Sequence, residues 1–321
     1  MMQFGKTKDG RDVTCITLAA GDISVNVLNL GAIVQDVRLA GVAHGLALGS
    51  DQVPDYEAGM RYFGAIVGPI ANRISNSRVR LDGMMYELER NENGRAHLHS
   101  GAEGCHAQIW TITNQTPSDV TMTLAMPDGM AGLPGARTIS VTYTVSAPAT
   151  LTMQISGTTD TTTLMNFASH IYWNLDGTPT WEGHSLRLAA DHYLPVDETV
   201  CPTGEIADVT GTRMDFRQER ALVIGDPALD HNFCLSEAPT DLRDVLWLKG
   251  KSGVAMTLAT TEPGVQIHDA SGSKRPGHAF YEGVVIEPQR WPDAPNNPSF
   301  PSIRVTPDQT YAQTTQWRFE T

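Results

Sequence analysis

Along most of the chain, apolar residues recur at every second position rather than every third and fourth. That is the period of a half-buried strand, not of a helix. In "RTISVTYTVS" Ile139, Val141, Tyr143 and Val145 fall on one face, and Ser140, Thr142 and Thr144 on the other. "ISVNV" from Ile23 and "LTMQIS" from Leu151 alternate in the same way; "VRLAG" from Val37 and "SLRLAA" from Ser185 are similar. Clusters of Gly, Pro, Asn and Asp interrupt these runs at short intervals, as in "PDGMAGLPG" (127–135) and "GDPALDHN" (225–232), and each marks a turn. Many short strands with frequent turns predict an all-β sandwich or barrel. Only 54–62 ("PDYEAGMRY") and 240–247 ("TDLRDVLW") read as short helices. No repeat, low-complexity segment or linker-like break interrupts the pattern, so one large β domain over residues 1–321 is expected.

Composition narrows the function classes. The 321 residues are 40% hydrophobic and 18% charged, which suits a folded chain with a sizeable core. The net charge of −13 argues against nucleic acid, anionic membranes and polyanionic substrates, because such partners are held by Lys and Arg. It is silent about a neutral ligand. No apolar run approaches the eighteen or so residues of a membrane span, and "MMQFGKTKDG" has no apolar signal-like region. A cytoplasmic protein is expected. Cys15, Cys105, Cys201 and Cys234 are scattered without a CxxC pair and read as free, buried thiols.

Candidate chemistry begins in "VVIEPQRWPDAPNNPSFPS" (284–302), where an apolar run reaches the carboxylate of Glu287 and prolines then stiffen the chain. "FYEGVVIE" reads as a strand from Phe280. A carboxylate at its exit is partly desolvated, which raises its pKa toward that of a general base; a carboxylate in water beside Arg290 is the structural alternative. "NFASHIYWNLDG" (166–177) sets His170 among strand-forming residues, with Tyr172 on the same face. An imidazole there suits proton donation, and an aromatic can cover the apolar face of a sugar ring; a hydrogen-bonded core histidine is the commoner case. "RAHLHSG" brings His97 and His99 onto one face if extended, a start for a metal site that lacks a third ligand at conventional spacing, so no metal is expected. "GPIANRIS" (68–75) offers Asn72 and Arg73, and "LDHNF" offers Asp230, as hydrogen-bonding groups. No GxSxG, P-loop or GxGxxG context occurs. The inventory favours proton transfer on, or binding of, a neutral polyhydroxy ligand.

With these segments in view, the chain resembles the aldose 1-epimerase (galactose mutarotase) family from end to end. "YFGAIVGPIANRIS" is similar to its Gly-x-x-x-Gly-x-x-Ala-Asn-Arg-Ile segment, and "HLHSG" to its Leu-His-Gly-Gly, which selects His99 over His97. "PDGMAGLPGARTISVTY", "NFASHIYWNLDG", "YLPVDETVCPTGEI", "LDHNF", "TTEPGVQI" and "IEPQRWPDAPNNPSFPS" follow in the family's order. The resemblance implies a large antiparallel β-supersandwich with few short helices and an open sugar-binding cleft. It implies interconversion of the α and β anomers of a free monosaccharide without a cofactor, by a monomer or homodimer. Glu287 would be the general base and His170 the general acid. Asn72, Arg73, His99, Tyr172, Asp230 and Gln266 would hold the sugar. An imidazolium and a carboxylate working together predict a bell-shaped pH dependence.

Departures from the family pattern leave the preferred sugar open. Ser100 replaces a glycine, Cys105 and His106 stand where Phe-Asp-Lys often follows, Ile267-His268-Asp269 replaces Phe-Tyr-Thr, and Pro288 and Arg290 replace other residues. A ketose, a sugar phosphate or a non-catalytic sugar-binding role are the alternatives; the last would be expected to lose Glu287 or His170, and both are present.

Overall fold

The alternating segments become the strands their period predicts. In a computed structural model describing all 321 residues, the longest of them, Arg137–Ser146, Thr150–Thr159 and Tyr311–Glu320, lie side by side in a nine-stranded antiparallel sheet. Ile139, Val141, Tyr143 and Val145 are buried, as the alternation requires, while Ser140, Thr142 and Thr144 are half-buried on the other face. A four-stranded antiparallel sheet, Met2–Lys6 through Val34–Leu39, packs beside it. A six-stranded antiparallel sheet runs in the order Tyr172–Trp173, Val284–Gln289, Gly264–His268, Asp230–Cys234, His192–Tyr193, Ala207–Asp208. The architecture is all-β and antiparallel with a few one-turn helices, as expected.

The six-stranded sheet decides where the chemistry goes. Trp173, Val284, Ile286, Ile267, Val265 and Phe233 join the 54-residue hydrophobic cluster shared with the nine-stranded sheet. Cross-strand pairing then fixes the opposite face. Tyr172 pairs with Val285, Val285 with His268, and His268 with Asp230; one pleat along, Glu287 pairs with Gln266 and Gln266 with Asn232. Since side chains alternate strictly across a sheet, every polar residue of this second set faces away from the core.

Two helix expectations and one strand boundary are corrected. Of 54–62, only Val53–Tyr56 is helical and turns follow. Residues 240–247 do not form a helix: Arg243–Lys249 is a strand paired with Ala255–Thr260. A bulge between Asp244 and Leu246 turns Val245 and Leu246 both inward, and this breaks the two-residue alternation in a way that mimics a helical stripe. The strand carrying Glu287 starts at Val284, not Phe280, because Tyr281 takes a left-handed turn (φ 63°) just before it. No helix is long and apolar enough to cross a membrane.

Candidate active site

Three separate segments meet above the cleft face of the six-stranded sheet. One brings Asn72 and Arg73, and their approach depends on Gly68. At φ 146°, with a would-be Cβ 2.3 Å from the Phe167 ring, this position tolerates no side chain. The contact lets Asn166 N–H donate to the Pro69 carbonyl and Ala71 N–H to the Asn166 carbonyl, so Asn72 and Arg73 lie next to the segment bearing His170. A second segment turns at His99 (φ 50°) and Ser100 (φ 64°). Ser100 occupies a left-handed position that favours glycine, and its Oγ compensates by accepting the Ile70 N–H at 2.8 Å. The turn ends the extended run of His97–Leu98, so His97 and His99 do not share a face. His97 pairs with the Glu89 carbonyl, away from the site.

The side chains line a cavity of about 350 Å³ that opens to solvent, a volume within the usual range for small-ligand pockets. On its wall stand Asn72, Arg73, His99, His170, Tyr172, Asp230 and Glu287. His170 Nε2 lies 3.7 Å from Glu287 Oε1, and the two residues are 4% and 1% exposed. Neither Glu287 Oε2 nor His170 Nδ1 has a hydrogen-bond partner, although buried polar atoms are normally satisfied. Arg290 does not pair with Glu287; its guanidinium stacks 4.7 Å above the Tyr311 ring and donates to the Ser302 carbonyl. Gln266 sits one layer back. Its amide donates to Asp230 Oδ1 at 2.6 Å, while Arg73 approaches Oδ2 at 3.1 Å. Gln266 therefore positions Asp230, and Arg73 bridges Asp230 and Glu92 (3.3 Å).

Several wall residues escaped the sequence reading. Tyr62 packs against both His99 and His170, with ring centroids 4.8 Å and 5.7 Å away; its position just ahead of the Asn-Arg segment was the available signal. Glu92, Ser271 and Ser273 also line the cavity, and they come from polar turns that carry no distinguishing pattern. Of the departures, Cys105 is fully buried in the core, whereas His268 faces the cavity.

Electrostatics divides the carboxylates. Burial raises the pKa of Glu287 well above the ordinary value, and the negative charge of Asp230 adds to it against an opposing Arg73. Burial also acts to raise Asp230, but Arg73, His268 and the Gln266 amide more than offset it, so this group stays below the usual carboxylate range. Desolvation, reinforced by nearby His268, drives His170 down to about 3. Asp230 is thus a fixed anion. Burial thus shifts His170 down and Glu287 up, in each case against the charged form.

His99, His170 and Glu287 also form a cluster of metal-ligating type, their donor atoms within 4.8 Å of one another. The fit to a metal is poor. His99 Nδ1 accepts the Asn72 N–H at 3.0 Å, so the neutral ring must carry its proton on Nε2. A ligand would need that proton removed and the backbone bond broken. His99 is instead a fixed donor to the cavity; burial, with His170 and Arg73 adding to it, holds its pKa well below normal.

The chain is similar to known proteins over nearly its whole length. The family model described as aldose 1-epimerase matches residues 14–318. Galactose mutarotase of Rattus norvegicus is 33% identical, with 98% of this chain and 97% of that protein covered. Aldose 1-epimerase of Escherichia coli K12 is 30% identical over 97% and 96%. The crystal structure of an aldose epimerase homologue from C. elegans superposes with a TM-score of 0.89 at 28% identity, covering 96% of this chain and 99% of that one.

Proposed function

This chain belongs to the aldose 1-epimerase family, and from that premise we propose how its cleft carries out the reaction. The protein is an isomerase that interconverts the α and β anomers of a free sugar. One observation carries the assignment of residues: His170 and Glu287 stand side by side, 3.7 Å apart, in a polar cavity. The anomeric hydroxyl oxygen and the ring oxygen are both bonded to C1, so their proton carriers must be neighbours, each within hydrogen-bond reach of its own oxygen. A pair placed at opposite ends of the sugar could not serve both.

Glu287, as carboxylate, takes the proton of the anomeric hydroxyl while His170, as imidazolium, protonates the ring oxygen. The bond from C1 to the ring oxygen breaks, and its electron pair stays on that oxygen. The new C=O at C1 belongs to an open chain. Rotation about the C1–C2 bond presents the other carbonyl face. Closure reverses the transfers: His170 takes the hydroxyl proton as that oxygen attacks C1, and Glu287 returns a proton to the carbonyl oxygen. One shared proton suffices. A lowered pKa makes protonated His170 a stronger acid and a raised pKa makes ionised Glu287 a stronger base, so both shifts favour the two transfers of the opening step.

Asn72, Arg73, His99 and Asp230 hold the hydroxyls in this reading, with Gln266 holding Asp230. Tyr172, stacked on Phe63 at 3.7 Å, supplies an apolar face. A phosphorylated sugar fits less well, because Arg73, the one guanidinium or ammonium on the wall, is already shared by Asp230 and Glu92. Residues 1–321 act as one domain here, since the main hydrophobic cluster runs from Ile16 to Phe319. Four buried, free cysteines fit a cytoplasmic enzyme. Polarimetry on freshly dissolved pure anomers of galactose, glucose, arabinose, xylose and fructose tests the function. Catalysed mutarotation of at least one is expected, and no acceleration over buffer for any would overturn it.

A further inference from the structure

We propose that His268 determines which sugar this cleft prefers, by binding a hydroxyl remote from the anomeric carbon; the inference rests on the mutarotase reading above. His268 belongs to the cleft face and is the cross-strand partner of Asp230. Its Nδ1 lies 3.8 Å from Asp230 Oδ2 and has no hydrogen-bond partner. The neighbouring groups are already committed: Asp230 Oδ1 to Gln266, Oδ2 to Arg73, and Arg73 also to Glu92. His268 is the polar side chain of this row whose ring remains unassigned. With Nδ1 turned toward a carboxylate, Nε2 is the ring nitrogen left for a ligand hydroxyl.

Position sets what it can read. Glu287 pairs with Gln266 on the adjacent strand, and His268 lies two residues further along. One strand spacing across and two residues along place the two Cα atoms about 8 Å apart. That is roughly the breadth of one pyranose with its hydroxyls. While Glu287 serves C1, His268 meets the far side of the ring.

The support behind His268 is rigid. The next residue, Asp269, is 2% exposed; its carboxylate accepts the Leu229 and Ser271 N–H groups at 3.1 and 2.9 Å, and its carbonyl accepts the Trp181 indole N–H at 2.9 Å. These bonds pin the start of the turn that carries Ser271 and Ser273 onto the same cavity wall. A backbone held this firmly fixes where the His268 ring starts from, and a hydrogen-bonding group left unpaired by the wrong substrate is costly.

The test measures kcat, KM and direct calorimetric binding for galactose, glucose and mannose with wild type, His268→Phe and His268→Gln. Galactose and glucose differ at C4, on the far side; glucose and mannose differ at C2, next to the anomeric carbon. In His268→Phe the galactose-to-glucose ratio of kcat/KM should shift at least about fivefold, through KM and not kcat, while the glucose-to-mannose ratio moves less than about twofold. His268→Gln, which keeps a hydrogen-bonding side chain, should restore part of the wild-type ratio. An unchanged galactose-to-glucose ratio in both variants, or an equal fall in kcat on every sugar, overturns the inference while leaving mutarotation intact. Should the wild type bind sugars but turn none over, the functional reading fails alone, and the ratio of dissociation constants decides the role of His268. Absence of binding to any of the three overturns both.

Discussion

Glu287 and Glu262 are two buried carboxylates on adjoining parts of the fold, 1% and 0% exposed. Burial raises the pKa of both, Glu262 to about 7 against weaker opposition from Arg290 and Arg243. Neither has a full set of hydrogen-bond partners, since both oxygens of Glu262 and Oε2 of Glu287 are unpartnered. By perturbation alone the two are equally good candidates for catalysis. What separates them is access and company. Glu287 opens onto a cavity and has an imidazole 3.7 Å away. Glu262 sits in the turn between Ala255–Thr260 and Gly264–His268, outside the cavity wall, where the Arg243 guanidinium donates to its backbone carbonyl. A shifted pKa therefore reports burial; only with a ligand-sized space and a complementary proton carrier does it report function.

Substitution is the sharpest way to break this comparison. Glu287→Gln should lower kcat for mutarotation by roughly 10²–10⁴-fold, with sugar binding changed only a few-fold and thermal stability equal to or above wild type. His170→Asn should match it. Near-wild-type rates by polarimetry in either variant would remove the pair from the mechanism. Asp230→Ala should act mainly on binding: losing a charged hydrogen-bonding group costs about 1.5–3 kcal/mol, or about a 10- to 100-fold rise in KM, and an unaltered KM would count against its role.

Glu262→Gln should leave kcat and KM within about twofold of wild type and change stability instead. A carboxyl whose folded pKa lies above its unfolded value favours the protonated fold, so wild-type stability falls between the ordinary value of 4.5 and about pH 7. Urea melts should show the variant gaining on wild type across that window by up to about 3 kcal/mol, and not below it. A gap independent of pH would mean the carboxyl finds a partner. The smallest signal is in the pH profile of kcat/KM. With His170 lowered to about 3 and Glu287 raised, the singly protonated pair spans a wide window. Activity should fall on the acid side toward pH 3, where the base is lost, and on the alkaline side only above the raised pKa of Glu287, where the acid is lost. The bell expected from the two residue types is widened into a plateau. A midpoint near 6.5, the ordinary histidine value, would show that the environment of His170 is more polar than its burial implies.

Most of the fold was legible along the chain, because alternation is a local property: "RTISVTYTVS" states which face is buried without reference to any other strand. Legibility failed where one residue broke the period, as at the Val245 bulge, and where a single left-handed residue moved a boundary, as at Tyr281. Within the site, Glu287, His170, Asn72, Arg73, His99 and Asp230 were nameable from residue type and family pattern. Tyr62, Glu92, Ser271 and Ser273 were not, since a tyrosine beside a turn or a serine in one looks the same wherever it points. Gln266 was named, but its place beneath Asp230 was not foreseeable.

The amino-acid order by itself settled the strands, their buried faces, the acidic character of the chain and the residue types available for proton transfer. Tertiary structure alone decided that residues 72, 99, 170, 230 and 287 share one cavity, that His170 and Glu287 stand side by side, and that Arg73 holds the pKa of Asp230 down while burial drives that of Glu287 up. The reason is range. Strand periodicity is set by neighbours along the chain, whereas desolvation and Coulomb interactions depend on distances in space, and antiparallel pairing brings together residues as far apart in sequence as Thr150 and Arg318.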